Sequence, residues 1–284
     1  MGILFAFIAL FSWGFGDFLI QKSARKFGDW VALFYISAFA SIALLPFTYQ
    51  ALAHMSVSDF WLLMLVSIVI LFAALFDFEA FRVGKISVIE PINAIELPVT
   101  VILGAYVINE YLTPLQTLLI VILIAGIALV STKSESGFKR IHAEKGLWYG
   151  IIAALLMGLS NFLFGFGARA TNPLLINWFS SVFIALAAFI YLWSQRRLDE
   201  IVADFKGNKR IILGVSVIDN MAWVAFAYST LYIPIAIATG ISEAYVALAA
   251  ALGLLLNREK LKTHQWAGLA LSVSAVVLLS AITS

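Results

Sequence analysis

Residues 86–110, ISVIEPINAIELPVTVILGAYVINE, are long and apolar enough to cross a lipid bilayer, but they contain two prolines inside the apolar run. Pro91 and Pro98 each lack a backbone N–H, so the carbonyl one turn earlier, that of Ala94 in the case of Pro98, loses its helical hydrogen bond. Irregular polar backbone at membrane depth is tolerated where it lines a cavity. We therefore expect a helix here that borders a cavity.

The same segment contains two carboxylic acids, Glu90 and Glu96. A carboxylate at the centre of a bilayer costs about 2.5–3.5 kcal/mol, so an acid at this depth is by default a functional candidate. The alternative is that both acids stay protonated, pack inward and only connect helices.

The composition excludes a soluble globular protein, because 63% of the 284 residues are hydrophobic and 12% are charged. We predict an all-α integral membrane protein. The absence of cysteine excludes disulfides and thiol chemistry. All three histidines fall at or between the ends of the apolar stretches, and the net charge is only +2. We predict no metal, no cofactor and no nucleic-acid partner.

Apolar stretches of about the length that a tilted helix needs to cross a membrane predict ten transmembrane helices. Two of them start with an N-cap residue followed by proline, at Thr113-Pro114 and Asn172-Pro173. The ten predicted spans are residues 2–21, 31–52, 60–81, 86–108, 115–132, 146–166, 174–194, 210–229, 233–256 and 264–283.

The basic residues predict the orientation. Loops after odd-numbered spans contain 17 of the 18 Lys and Arg residues, and loops after even-numbered spans contain only Arg169. Because basic loops stay in the cytoplasm, both termini are predicted to be extracytoplasmic. The first apolar stretch has no basic residue before it, unlike a signal peptide, so we predict a permanent span.

The chain contains an internal repeat. Gly2 to Arg25 aligns without a gap on Gly146 to Arg169, and NEYLTPLQ at residues 109–116 resembles NREKLKTHQ at residues 257–265. Two halves of five spans each have opposite orientations, as in secondary transporters with inverted repeats. We predict a first five-helix repeat at 1–132, a cytoplasmic linker at 133–145 and a second repeat at 146–284. Chance similarity among apolar segments is the alternative.

The chain resembles the EamA-type proteins of the drug/metabolite transporter superfamily in a set of motif residues. These are Pro98, Glu110, Leu112, Gly126 and, as the second-half counterpart of Glu110 and Leu112, Glu259-Lys260-Leu261. The resemblance implies that helices 1, 3, 4, 6, 8 and 9 surround a substrate cavity, with helices 2, 5, 7 and 10 at the periphery. It also implies transport of amino acids, amines, nucleotide-linked sugars, drugs or other metabolites. Many members have cytoplasmic termini, and the charges here depart from that pattern.

Acids without basic partners lie inside several predicted spans. They cannot all be ionised in a low dielectric, so several are protonated or a cation binds among them. We expect Asp77 to face the cavity, because Glu79 is one turn from Arg82 and is better placed for a local ion pair. The interior acids are Asp17, Asp77, Glu79, Glu90, Glu96, Asp219 and Glu243. The candidate proton-coupling residues are Asp17, Glu90, Glu96, Asp219 and Glu243.

Two tryptophans lie inside spans, four residues from an interior acid: Trp13 from Asp17, and Trp223 from Asp219. An indole and a carboxylate on one helix face suit an amine or quaternary ammonium, although ordinary packing explains the spacing equally well. The second half has Asn161 at the position of Asp17, so the predicted site is asymmetric. The candidate substrate-binding residues are Trp13, Asp17, Asp77, Asn93, Glu96, Asn161, Asp219, Trp223, Ser242, Glu243 and Tyr245.

Glu110 and Glu259 lie beside Thr113 and Thr263, and we expect each to end one helix and cap the next rather than to bind a ligand. We predict a secondary active transporter, not an enzyme, for a small organic metabolite that is amine-bearing, cationic or amino-acid-like. It works by alternating access in the plasma (inner) membrane, coupled to protons or another cation, as a monomer or homodimer.

The sequence also suggests two other functions, an intramembrane aspartyl protease and a passive channel. Gly14-Phe15-Gly16-Asp17 matches the GxGD of intramembrane aspartyl proteases, but no second Asp follows a Tyr and no nucleophile–base pair is visible. A passive channel is disfavoured by the inverted halves and the interior acids.

Overall fold

The computed structural model describes residues 1–84, 89, 92–131, 146–248 and 262–283, without the side chains of residues 17, 18 and 21. The described residues form helices connected by turns. The helices are α1 (Gly2–Phe27), α2 (Asp29–Ala53), α3 (Val57–Val83), α4 (Glu96–Ile108), α5 (Pro114–Ser131), α6 (Leu147–Ala170), α7 (Pro173–Ser194), α8 (Leu198–Thr230), α9 (Ile235–Glu243) and α10 (Thr263–Thr283).

Seven of these helices, α2, α3, α5, α6, α7, α8 and α10, are each long and apolar enough to cross a membrane. Residues 2–16, 96–107 and 235–248 form shorter apolar helical stretches. The count of ten spans and the inverted orientation of the halves remain predictions. The two predicted helix starts at proline are present: α5 begins at Pro114, and the Asn172 side chain accepts hydrogen bonds from the Leu174 and Leu175 amides before α7.

Helix α8 differs from the prediction, which placed residues 196–209 in a loop. The helix begins at Leu198 and continues for 33 residues, with non-helical backbone angles at Asn208. The first part carries Asp199, Glu200 and Asp204 on one side and half-buried apolar residues on the other. A search for continuous apolar stretches misses this segment, because it is an amphipathic helix with many charged residues.

Helices α4 and α9 are both interrupted near the middle of the molecule. Ala94 and Ile95 form a tight turn before α4, in which the Ile95 amide donates to the Ile92 carbonyl at 3.0 Å. This turn lies where the missing N–H of Pro98 predicted a disturbed helix. In the second half, α9 ends at Glu243 with a turn at Ala244, and residues 245–248 are helical again.

The helices of the first half pack mainly on helices of the second half. Helix α1 packs on α8, α3 on α6, α2 on α7 and α5 on α10, while α4 contacts α6 and α9. Moving each helix by five positions along the order converts the α1–α8 pair into the α6–α3 pair and maps the α2–α7, α5–α10 and α4–α9 pairs onto themselves. Two related halves are therefore interleaved around a common centre.

Small residues let the paired helices approach closely. A Cβ atom placed on Gly126 of α5 would lie 2.5 Å from the Ser272 hydroxyl oxygen of α10, and one on Gly268 would lie 2.7 Å from the Gly126 carbonyl oxygen. Buried polar bonds join other pairs: the Thr100 hydroxyl of α4 donates to the Gly158 carbonyl of α6 at 2.9 Å. Close backbone contact and such bonds are what hold helices together in a membrane.

The helix ends divide into two groups. At one end, which we call the basic end, Lys26 at the end of α1 donates to the Asn208 side chain, and Arg82 at the end of α3 lies 3.7 Å from the Asp29 carboxylate at the start of α2. At the opposite end, the start of α1 at Gly2 packs against Tyr232 and Ile233, which follow α8. Helix α2 thus runs antiparallel to α3, and α1 runs antiparallel to α8.

Candidate functional site

A cavity of about 140 Å³ lies among α1, α2, α3, α6, α7, α8, the end of α9 and the residues around the α4 turn. On α2 and α3 its lining residues lie from the middle of each helix toward the basic end, and on α1 they are Trp13, near the middle, and Ile20, nearer the basic end. Nine of the predicted site residues line it: Trp13, Asp77, Asn93, Glu96, Asn161, Asp219, Trp223, Glu243 and Tyr245. The Asp17 side chain and the whole of Glu90 lie outside the described residues.

Ser242 does not belong to the described lining of this cavity, although it was predicted to bind substrate. Its side chain is fully buried, and its hydroxyl donates to the Thr239 carbonyl at 3.0 Å. Its position beside Glu243 suggested a binding role, but its hydroxyl is used within its own helix. The role of Ser242 in substrate binding stays a prediction.

Asn161 of α6 connects the two interrupted helices. Its Nδ2 lies 3.4 Å from the Glu96 Oε2 at the start of α4 and 3.4 Å from the Glu243 Oε1 at the end of α9. Glu96, Asn161 and Glu243 are 6%, 2% and 8% exposed, so the bulk solvent barely reaches them. Two acids from opposite halves of the chain thus share one amide at the centre of the protein.

The charge in the cavity lining is all acidic in the described part of the chain. Asp77 and Asp219 line the cavity together with the two glutamates, and the described lining residues include no Lys, Arg or His. Glu79 is not one of them: both its oxygens accept hydrogen bonds from Arg82, at 2.8 and 2.7 Å, which is the local ion pair that the sequence predicted. The described residues include no group of three acids or histidines arranged for a metal ion.

The two interior tryptophans contact each other. The rings of Trp13 and Trp223 are 5.3 Å apart and nearly perpendicular, and Phe164 lies 4.8 Å from the Trp223 ring. From the sequence, each indole was expected to lie beside an acid on its own helix. The structure adds the contact between the two indoles, which joins the two halves and cannot be read from the spacing of residues within one helix. Much of each indole is used for packing, and the remaining surface lines the cavity.

Helices α2 and α7 also line the cavity, which corrects the expectation that they are peripheral. Sequence reasoning missed their polar residues because none is charged. A detectable pattern was present: Asn177, Ser180 and Ser181 are polar at positions i, i+3 and i+4 of an otherwise apolar span, and so share one helix face. The missed polar lining residues are Ser37 of α2, Asn177, Ser180 and Ser181 of α7, and Asn220 of α8.

Glu110 was predicted to cap the next helix, α5, but it caps a different helix. Thr113 and Gln116 make the cap of α5, with mutual backbone-to-side-chain bonds of 2.9 and 3.3 Å. Glu110 instead accepts a bond from the Ile235 amide, the first residue of α9, at 2.8 Å, and pairs with Arg169 at 2.9 Å. It caps a helix of the other half; Glu259 lies outside the described residues.

These features define a class of protein before any comparison: a multi-pass helical membrane protein with a buried acidic cavity between two related halves. The sequence profile of the EamA-like transporter family matches residues 1–132 and again residues 144–281. The chain belongs to the EamA-like transporter family, and each half is one copy of its repeat.

A comparison with solved structures is consistent with this fold. Among 28 solved chains that match, one crystal structure aligns over 100% of this chain and 96% of its own, with a TM-score of 0.66 and 15% identity. At that identity the similarity concerns the fold alone. No curated protein sequence matches the chain.

Proposed function

We propose that this protein is a secondary active transporter of a small organic solute, with a preference for a cationic or amine-bearing one, in the plasma (inner) membrane. Protons are the coupling ions. The observation that carries the proposal is the shared contact of Glu96 and Glu243 with the Asn161 amide inside an acidic cavity.

The electrostatics of that contact favour cation exchange. Two unit charges about 6 Å apart repel by about 3 kcal/mol at an effective dielectric constant of 20, and more in a drier environment. Protonation of one acid, or binding of a cation between them, removes this repulsion. A substrate cation and a proton would therefore compete for the same carboxyl groups, which is the physical basis of an exchanger.

Alternating access is supported by the interleaved halves. Inverted repeats place a central site between two structurally equivalent gates, of which one is closed at a time. In this conformation the cavity extends toward the basic end, while Glu110 and Arg169 tie α4, α6 and the start of α9 together at the opposite end. We assign this conformation to the state that faces the cytoplasm, in a ten-span topology with extracytoplasmic termini.

Reconstituted protein tests the proposal. The purified protein is first screened for thermal stabilisation by a library of small metabolites, since a ligand that binds the folded state raises its melting temperature. Proteoliposomes are then loaded with the best ligand and a pH-sensitive dye. An exchanger should show saturable counterflow of the ligand and a proton flux that appears only when the ligand is present.

Each competing function has a different outcome in the same experiment. A channel would give a non-saturating conductance without counterflow, and an aspartyl protease would cleave a transmembrane peptide without moving solute. Either result, in protein that is folded and correctly inserted, would refute the proposal. Light scattering of the same preparation decides between a monomer and a homodimer.

A further inference from the structure

Three asparagines of the cavity lining have their amide NH2 groups bonded to protein acceptors. Asn177 donates to the Pro173 carbonyl at 2.8 Å, and Asn220 donates to the Ile36 and Ser216 carbonyls at 3.0 and 2.7 Å. Asn161 donates to both central glutamates. Backbone carbonyls only accept, so these bonds fix the amide orientation of Asn177 and Asn220. Each amide therefore has its oxygen available as an acceptor for a cavity ligand, and Asn177 also keeps one N–H.

Asn93 also lines the cavity. Its Oδ1 is buried, and no donor in the described part of the chain reaches it. A buried carbonyl oxygen without a donor is unfavourable, and such atoms in folded proteins are generally satisfied by water or a ligand. Together with the carboxyl groups of Glu96, Glu243, Asp77 and Asp219, these amides make the described cavity lining rich in acceptors.

The acceptors lie on two separate walls. One wall is formed by α2 and α7, which pack on each other, and α7 contributes Asn177 and Ser181. The other wall is formed by the interrupted α4 and α9, which contribute the two glutamates. Helices α4 and α9 contact each other, and neither has extensive contacts with α2 or α7 in the described part of the chain. A ligand that satisfies both walls therefore needs hydrogen-bond donors at both of its ends.

The cavity volume indicates the size of a ligand that fits entirely inside it. A cavity of about 150 Å³ in a protein core holds a benzene molecule. The cavity here, about 140 Å³, is in the same range and fits a solute of about six to ten non-hydrogen atoms.

We propose that the substrate is a small cation with N–H donors at both ends, such as an α,ω-diamine or an amino-guanidine. The proposal rests on the transport function proposed above and specifies its substrate class. A quaternary ammonium has the charge but no N–H donor, so it leaves the amide oxygens unsatisfied. A zwitterion or an anion brings a carboxylate into a cavity whose described lining has no Lys, Arg or His.

A matched ligand series tests the proposal by calorimetry on the purified protein. The series is 1,4-diaminobutane, butylammonium with one donor end, the fully N-methylated diamine with charge but no donors, and 4-aminobutanoate with a carboxylate end. We expect the diamine to bind at least tenfold more tightly than each of the other three. Equal or tighter binding of the methylated compound or of 4-aminobutanoate would overturn the proposal.

Variants of the α7 wall locate the second contact. Ser181→Ala and Asn177→Leu should reduce the ratio of diamine to butylammonium affinity by at least threefold, because both remove an acceptor from the wall across from the glutamates. Ser194→Ala, at the exposed end of the same helix, is the control and should leave the ratio unchanged. An unchanged ratio in a folded Ser181→Ala variant would exclude this wall as the binding surface.

The same ligands separate this inference from the transport function. Counterflow and proton flux are measured in proteoliposomes with each compound of the series. Coupled transport of butylammonium or of the methylated diamine at the rate of the diamine would leave the transporter proposal intact and refute the substrate class. Tight diamine binding without any flux would support the ligand class and refute the transporter proposal.

Discussion

Arg169 and Glu110 form an ion pair at the end of the molecule opposite the basic loops, with Nη1 and Oε1 2.9 Å apart. The same guanidinium donates to the carbonyls of Thr230 and Ile233, at 2.5 and 2.8 Å, and Glu110 also accepts from the Ile235 amide. The single basic residue outside the basic loops is thus bonded to three other elements, although its side chain is 30% exposed. It joins the ends of α4, α6 and α8 to the start of α9.

We predict that Arg169→Gln lowers the free energy of unfolding by about 2–4 kcal/mol, because the substitution removes the ion pair and leaves buried carbonyls without a charged donor. Thermal unfolding in detergent measures the change. The control is Arg197→Gln, which breaks the exposed Arg197–Glu200 pair, whose side chains are 39% and 44% exposed, and should cost less than about 1 kcal/mol. Equal melting temperatures for the two variants would contradict the prediction.

The central acids should control the pH dependence of transport. Glu96→Gln and Glu243→Gln each keep an oxygen that can accept a bond from Asn161, so folding should be preserved while one titrating group is lost. Proton-driven uptake should fall at least tenfold for at least one variant, and its pH profile should flatten. Initial rates in proteoliposomes between about pH 5.5 and 8.5 measure both effects.

Glu200→Gln is the matched control for the acids, since it makes the same chemical change at an exposed position. Its rate and pH profile should equal those of the parent protein. If both central variants also transport like the parent with an unchanged profile, the acids are structural and the coupling site lies elsewhere.

The indole of Trp223 should contribute to recognition of a cationic solute. Trp223→Phe keeps an aromatic ring beside Trp13 and Phe164 but weakens the cation–π attraction, so affinity for a cation should fall by up to about 1–2 kcal/mol. Binding of a neutral compound of the same shape distinguishes this effect from packing, because packing loss would weaken both ligands equally. Trp61→Phe, at a position that is 65% exposed, should change neither affinity.

The contact between α5 and α10 should tolerate no side chain larger than hydrogen at Gly126. Gly126→Ala would place a Cβ 2.5 Å from the Ser272 hydroxyl oxygen and 2.8 Å from the Ser272 backbone nitrogen, so we expect a loss of stability of about 1–3 kcal/mol. Gly207→Ala is the control, because nothing lies within 4 Å of a Cβ there. Both variants should keep the ligand affinity of the parent protein when it is measured on folded protein. A Gly126→Ala melting temperature equal to that of the parent would refute the close contact.

The topology is tested with enzyme fusions. An alkaline phosphatase joined after Ser284 should be active, since the basic residues Arg258, Lys260 and Lys262 precede the last span and hold that loop in the cytoplasm. A fusion within the linker 133–145 should be inactive. The opposite pattern of activities would reverse the orientation and require a new count of spans.

Local chemistry made part of the fold and site predictable from the sequence. Pro98 cannot donate a hydrogen bond to the carbonyl at Ala94, and the turn before α4 lies at that position. Acids inside apolar stretches are costly unless they line a cavity. Glu96, Asp77 and Glu243, which were singled out on this ground, do line the cavity. The family motifs and the repeat are likewise sequence properties.

The remaining features depend on which helix faces meet, and sequence periodicity does not determine this in an apolar span. The partner of Glu110 lies 59 residues away in the other half, so its local neighbourhood suggested the wrong cap. Asn177 and Ser181 could face lipid, another helix or a cavity, and only the packing of α7 on α2 decides between these. The apolar part of α8 was predicted as a span from its composition. The amphipathic start of the helix was not predicted, because its many charged residues resemble a loop.

The interleaving of the two halves has a consequence for biosynthesis. Helix α1 finds its main partner in α8, and α2 and α5 find theirs in α7 and α10, so none of these faces is covered while only the first half has left the ribosome. The first five helices must wait in the bilayer, with polar groups such as Glu96 unmatched, until the second half arrives. The protein therefore completes its main helix contacts only after the second half has been synthesised.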